Sequence, residues 1–189
     1  MAHQTLQTLY ISELKDLYSA EHQLVKALPK IVKAVESEEL SDAIANHLEE
    51  TKNQVSRLEQ IFDSLGESPR GKKCVGMQGI LEEGSDTIAE FEGSVLDAGV
   101  ISAAQRVEHY EIAAYGSVCA YAELLQRSED LGLLKETLEE EKNADEKLTQ
   151  ISETINQAAL QMSSQEDAEV GRQPAGKAAN RSRKTRTAA

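Results

Sequence analysis

The chain has 189 residues, is 40% hydrophobic, and carries three prolines, no tryptophan and a formal net charge of −13, which suits one well-buried domain plus a tail. Residues 163–189 hold six Lys/Arg against three Asp/Glu, so the tail is +3 and residues 1–162 carry −16; a body of that sign repels phosphate backbones and excludes specific nucleic-acid binding, leaving the tail only weak, salt-sensitive contact. No segment approaches the about 20 apolar residues of a membrane span, and Met1 to Leu9 lacks the basic-then-apolar pattern of an export signal, so no membrane is expected and a cytoplasmic location follows by default.

Leu, Ile, Val and Ala dominate the apolar positions, with Glu, Lys and Gln between them, and these are residues that lose little on entering a helix. An all-α chain is expected. In the first segment Leu6, Leu9, Tyr10, Leu14, Leu17, Leu24, Leu28 and Ile31 recur at three-and-four spacing, which predicts a long amphipathic helix. Pro29 predicts a kink near Leu28 rather than an end, because the apolar rhythm continues beyond it. A second helix is expected from a cap near Ser41 or Asp42 to Gly66, and the short link makes the first two helices antiparallel.

Residues 66–78 read as a loop and 79–92 as a brief helix within a long crossover, as found between the second and third helices of one class of four-helix bundle. The third long helix is predicted from Asp97 to about Ser128. The fourth follows a turn at Gly132 and carries Leu134, Leu138, Leu148, Ile151 and Ile155. Beyond Met162 the apolar period stops, which divides the chain into a bundle, 1–162, and a basic disordered tail, 163–189. Cys74 and Cys119 form no CxxC pair and no zinc spacing, so they read as buried small side chains or free thiols.

HLEETKNQVSRLEQI (47–61) aligns without a gap to TLEEEKNADEKLTQI (137–151), and AEHQL (20–24) weakly echoes VEHYE (107–111). The chain therefore reads as two related helical hairpins, a symmetry in which a two-metal site can be built at the centre of a bundle. Glu21 interrupts the apolar stripe of the first helix, Glu108 that of the third, with Glu111 one turn on, and Glu141 that of the fourth. An ionised carboxylate in an apolar interior must be protonated, paired or metal-bound, and several at one depth repel one another until a cation joins them. Their hard oxygen donors suit iron or manganese better than zinc. On the second helix His47, Glu50 and Gln54 line one flank of the stripe, and on the fourth the repeat favours Glu140 while the stripe favours Glu141.

The stretches YSAEHQL (18–24), HLEET (47–51), GKKCVGMQGILEE (71–83), AAQRVEHYEIAAYG (103–116) and LLKETLEEEKNAD (133–145) closely resemble the YciF-type ferritin-like family of bacterial stress-associated proteins. The resemblance spans about residues 5–158 and implies a ferritin-like four-helix bundle, a dimer and a di-iron type centre engaged in iron oxidation or peroxide removal. Carried over residue by residue, the ferritin-like pattern makes Glu21 and Glu108 ligands from the first helix of each hairpin, with Glu50 and Glu141 from the second. The usual Glu-x-x-His is missing: Asn53, Asn143 and Ala144 stand where histidine is expected, and Gln54 and Glu111 are the candidates to replace it. The enzymatic expectation is a di-iron oxidoreductase, ferroxidase or catalase-like, with peroxide or oxygen as partner. The competing expectation is a non-catalytic stress-response scaffold acting as a dimer. A closed storage shell is disfavoured, because nothing in the chain identifies the surfaces it needs.

Overall fold

Each predicted apolar stripe forms a helix in this computed structural model, which describes residues 4–170, with side chains from 4 to 162. The described residues contain α1 (Leu6–Ala34), α2 (Glu38–Leu65), α3 (Val75–Glu90), α4 (Gly93–Leu124) and α5 (Ser128–Val170), and no strand. α1 opens with a capping box between Thr5 and Thr8 and keeps Pro29 inside it. The backbone of α5 is helical as far as Val170, and residues 171–189 of the predicted basic tail lie outside the described residues.

The helix ends differ from the sequence expectation for local reasons. α2 begins at Glu38 rather than near Ser41, because Ser37 caps it, its hydroxyl accepting from the Leu40 N–H at 3.3 Å. Glu38 and Glu39 then occupy the first turn, where the helix dipole favours acids. α2 closes on Gly66 at φ +65°, a left-handed cap that glycine adopts without strain. α3 starts at Val75, earlier than 79, because the Cys74 sulfur accepts the Met77 N–H at 3.4 Å. α4 starts at Gly93 and not at Asp97. Asp97 is instead buried inside α4, where its carboxylate accepts the backbone N–H groups of Glu36 at 3.0 Å and Ser37 at 2.8 Å. The α4–α5 turn falls at 125–127, with Gln126 at φ +58°, so Gly132 lies inside α5 rather than at the turn.

α1 packs on α2 and α4 on α5 as two hairpins, and α1 also faces α4 while α2 faces α5. The directions follow from contacts at the two ends. Tyr10 and Ser64 both bond to Asp130 at one end, and Lys147 reaches Glu39 at 2.8 Å near the other, so every neighbouring pair of long helices is antiparallel. The crossover between α2 and α4 must then run the length of the bundle, and α3 lies along it against α4 and α1. Its approach to α4 requires glycine: a Cβ on Gly99 would stand 2.6 Å from Thr87 Cγ2. Both cysteines are free and buried, as expected.

The core is divided. One apolar cluster holds Leu24, Leu28, Leu40, Ile44, Val100 and Ile151. A second holds Tyr10, Leu14, Leu58, Phe62, Tyr115 and Leu134. Between their positions along the helices lie Glu21, His47, Thr51, Gln54, Glu108, Glu111 and Glu141, all buried. Helix formation thus delivers a polar slab to the middle of the bundle, between two apolar halves.

Candidate metal centre

His47 of α2, Glu108 and Glu111 of α4 and Glu141 of α5 each bring one donor atom to a common point, all within 4.8 Å of one another. All four side chains are buried, with Glu111 and Glu141 wholly excluded from solvent. The His47 Nε2 lies 3.6 Å from Glu108 Oε1, and its Nδ1 lies 3.7 Å from Glu50 Oε2. Glu21 of α1 stands beside the quartet and not within it: the Tyr115 hydroxyl donates to its Oε1. Gln54 is buried alongside, its amide donating to Glu140 Oε2 at 3.1 Å.

The two acids the repeat left open are separated by an arginine. Arg57 bonds both oxygens of Glu140 at 2.7 Å and also reaches Glu136 at 2.6 Å, which draws Glu140 to the bundle's side and leaves Glu141 inside. Glu50, which the repeat pairs with Glu140, has a side chain 46% exposed and lies 3.7 Å from the His47 Nδ1. In the repeat Glu141 aligns with Thr51, whose hydroxyl donates back to the His47 carbonyl at 2.7 Å. α2 therefore supplies an imidazole one turn earlier in place of the missing carboxylate. Across the other hairpins Glu108 aligns with Glu21, but Glu111 aligns with Leu24, an extra acid that only α4 carries.

The electrostatics show a cluster short of positive charge. Burial pushes Glu21 and Glu108 up to about 8, with the charge of Glu141 adding to the effect on Glu21. Glu111 and Glu141 are raised well above the ordinary carboxylate range, again by burial first. Burial alone would depress His47, but Glu50 and the charges of Glu141 and Glu21 outweigh it and raise its pKa. Tyr115 is raised by burial and by Glu21, so it remains a phenol that donates.

The unpartnered atoms test whether a cation fits. Buried polar atoms with no hydrogen-bond partner among the described residues occur on six side chains: Glu21, His47, Gln54, Glu108, Glu111 and Glu141. Buried polar groups are ordinarily satisfied, and their concentration at one depth of one bundle matches a donor set for a divalent cation. Four carboxylates and one imidazole are hard oxygen with borderline nitrogen, a set suited to iron or manganese.

Two clefts reach this centre. One, of about 300 Å³, opens between α1, α2, α3 and α4 and ends at His47 and Glu108. The other, of about 380 Å³, lies between α2, α4 and α5 and borders the same two residues together with Glu50 and Glu140.

A family model described as Domain of unknown function (DUF892) matches residues 5–161. Protein YciF of Escherichia coli (strain K12) is 46% identical over 154 residues, 80% of this chain and 93% of that protein. The crystal structure of the E. coli stress protein YciF superposes with a TM-score of 0.79 at 43% identity, covering 82% of this chain and 99% of that one. YcfI of Rhodopseudomonas palustris, described as a proposed structural protein, superposes at 0.75 with 42% identity over 77% of this chain and 94% of its own. The helix order, the crossover and these likenesses agree with the ferritin-like bundle expected from the sequence, and the chain belongs to the YciF-type family described as Domain of unknown function (DUF892).

Proposed function

We propose that this protein is a stress-related, carboxylate-rich metal protein whose centre takes two iron ions, with manganese as the alternative, and serves iron oxidation or peroxide removal. The observation that carries the reading is the set of unpartnered buried oxygens and nitrogens gathered between two apolar half-cores. His47, Glu108, Glu111 and Glu141 would hold the metal, with Glu21, Glu50 and Gln54 flanking them. Bound iron supplies redox change and Lewis acidity toward peroxide or oxygen. The chain's own part is to orient donors and to handle protons. Tyr115 fixes one oxygen of Glu21 and leaves the other free. Glu50, half-exposed and next to the His47 Nδ1, offers protons a path to solvent. A homodimer is expected as the working form.

The test is anaerobic loading with ferrous iron followed by peroxide or oxygen. The reading expects two irons per chain and consumption of the oxidant, and a chain that takes up no iron and consumes neither oxidant overturns it. A second reading, a non-catalytic scaffold, draws on the missing Glu-x-x-His and on the structural description given to YcfI. Glu108→Gln with Glu141→Gln separates the two, because a scaffold keeps its stress phenotype when both acids are neutralised. Among the described residues no helix is long and apolar enough to cross a membrane.

A further inference from the structure

The two clefts differ in chemistry. The 380 Å³ cleft is edged by Glu39, Asp42, Glu50, Glu140 and a single Lys147, an acidic approach that draws cations inward. The 300 Å³ cleft is walled by Leu24, Ile31, Ile80, Ile88, Val100 and Val107. Lys30 and Ser85, both exposed, also line it, and between the aliphatic walls water is poorly held. The buried polar residues on its lining are Glu108 and His47, where Glu108 Oε2 and both ring nitrogens have no hydrogen-bond partner and the nitrogens stand only at ion-pair distance from Glu108 Oε1 and Glu50 Oε2. An apolar volume at the lower end of the range for small-molecule pockets, with one polar spot at its base, is the usual form of a site for an amphipathic ligand.

From this geometry we infer that the cleft between α1, α3 and α4 binds a small alkyl compound ending in a hydroxyl or hydroperoxyl group, its chain on the apolar walls and its O–H end at His47 and Glu108. A volume of about 300 Å³ is roughly ten times a water molecule's share of the liquid, about 30 Å³, which leaves room for a short alkyl chain. The O–H end suits the base of the cleft because it can donate to Glu108 and accept from the imidazole, whereas an anionic head has no proton to donate and would set a further charge beside Glu108 and the acids grouped with it. The inference deepens the function proposed above: it makes the peroxide an organic one for which the alcohol is the unreactive analogue. Alcohol binding itself needs no metal, so the two readings fail separately.

The experiment is calorimetric titration of the full chain, as purified, with 1-butanol, 1-hexanol, 1-octanol and octanoate, beside cobalt(II) titration of the same samples by absorbance. One site is expected, with affinity rising about four-fold per added CH₂ and octanoate weaker than octanol by at least about tenfold. Ala27→Phe and Ala103→Phe, which fill the cleft from α1 and α4, should each weaken octanol at least about tenfold while cobalt binding persists. The inference is overturned by equal affinity for all three alcohols in the native chain, by octanoate binding as tightly as octanol, or by unchanged octanol affinity in a Phe variant that melts like the native protein. Loss of cobalt binding with the alcohol series intact would overturn the metal reading and leave the cleft assigned.

Discussion

A buried acid behaves according to what faces it, and the acids of this bundle face one another. Burial holds Glu108 near 8 and raises Glu111 and Glu141 well above the ordinary carboxylate range, so in the metal-free chain these acids keep protons that they would lose in water. Glu108→Gln puts a permanently uncharged amide where the metal-free chain must keep a proton, so metal-free Tm should gain on the native chain as pH rises through about 8. The same change should weaken cobalt(II) or iron(II) binding by about 100-fold or more, since donors in such a set act together. Melting curves with and without metal check both halves at once. The pH dependence has a definite sign. Because Glu21 and Glu108 have folded pKa values raised to about 8 from an ordinary 4.5, the folded chain holds more protons than the unfolded one between those limits. Their contribution is fully present below about pH 4.5 and is lost as pH rises through about 8; His47, also raised, acts in the same direction. Metal-free Tm should therefore fall from pH 5 to pH 8.5, and saturating metal should cancel the slope.

At the scale of elements, the stripes and the repeat were legible and the ends were not. Apolar spacing located all four long helices, and Glu21, Glu108 and Glu141 stood out because each occupies a leucine position. Asp97 misled because an acid before an apolar run looks like a helix start, whereas here it caps the backbone of a different segment from inside α4. Asp97→Ala removes the acceptor of two part-buried N–H groups and should cost about 2 kcal/mol, read as a lower denaturation midpoint with an unchanged slope. The choice between Glu140 and Glu141 depended on Arg57, eighty-odd positions away in the chain and touching only one of them, a pairing that periodicity does not encode. His47 was harder still. Its place in the buried quartet goes with Thr51 occupying the position that is glutamate in the matching helix, and the gapless alignment of 47–61 with 137–151 already contained that clue. On the same scale Gly99→Val should push α3 off α4, since even one added carbon meets Thr87 at 2.6 Å. Faster proteolysis within 66–92, with the rest of the bundle intact, would register that.

For the whole molecule, the proposed metal and the fold should be linked by mass action. A cation that binds only the folded chain adds about 2.7 kcal/mol of stability at one hundred times its Kd, so thermal shift against metal concentration should climb logarithmically rather than saturate. The divided core has a further consequence. Leu17 belongs to the apolar half on one side of the acidic slab and Leu24 to the half on the other. Their seven-position separation places about two turns of helix, and the layer of buried polar side chains at the level of Glu21, between the two halves. Leu17→Ala and Leu24→Ala should consequently be additive in a double-mutant cycle to within about 0.5 kcal/mol, which makes the two ends of the bundle separate compartments: one can drift in sequence or be redesigned without disturbing the other, as long as the slab that joins them stays in register.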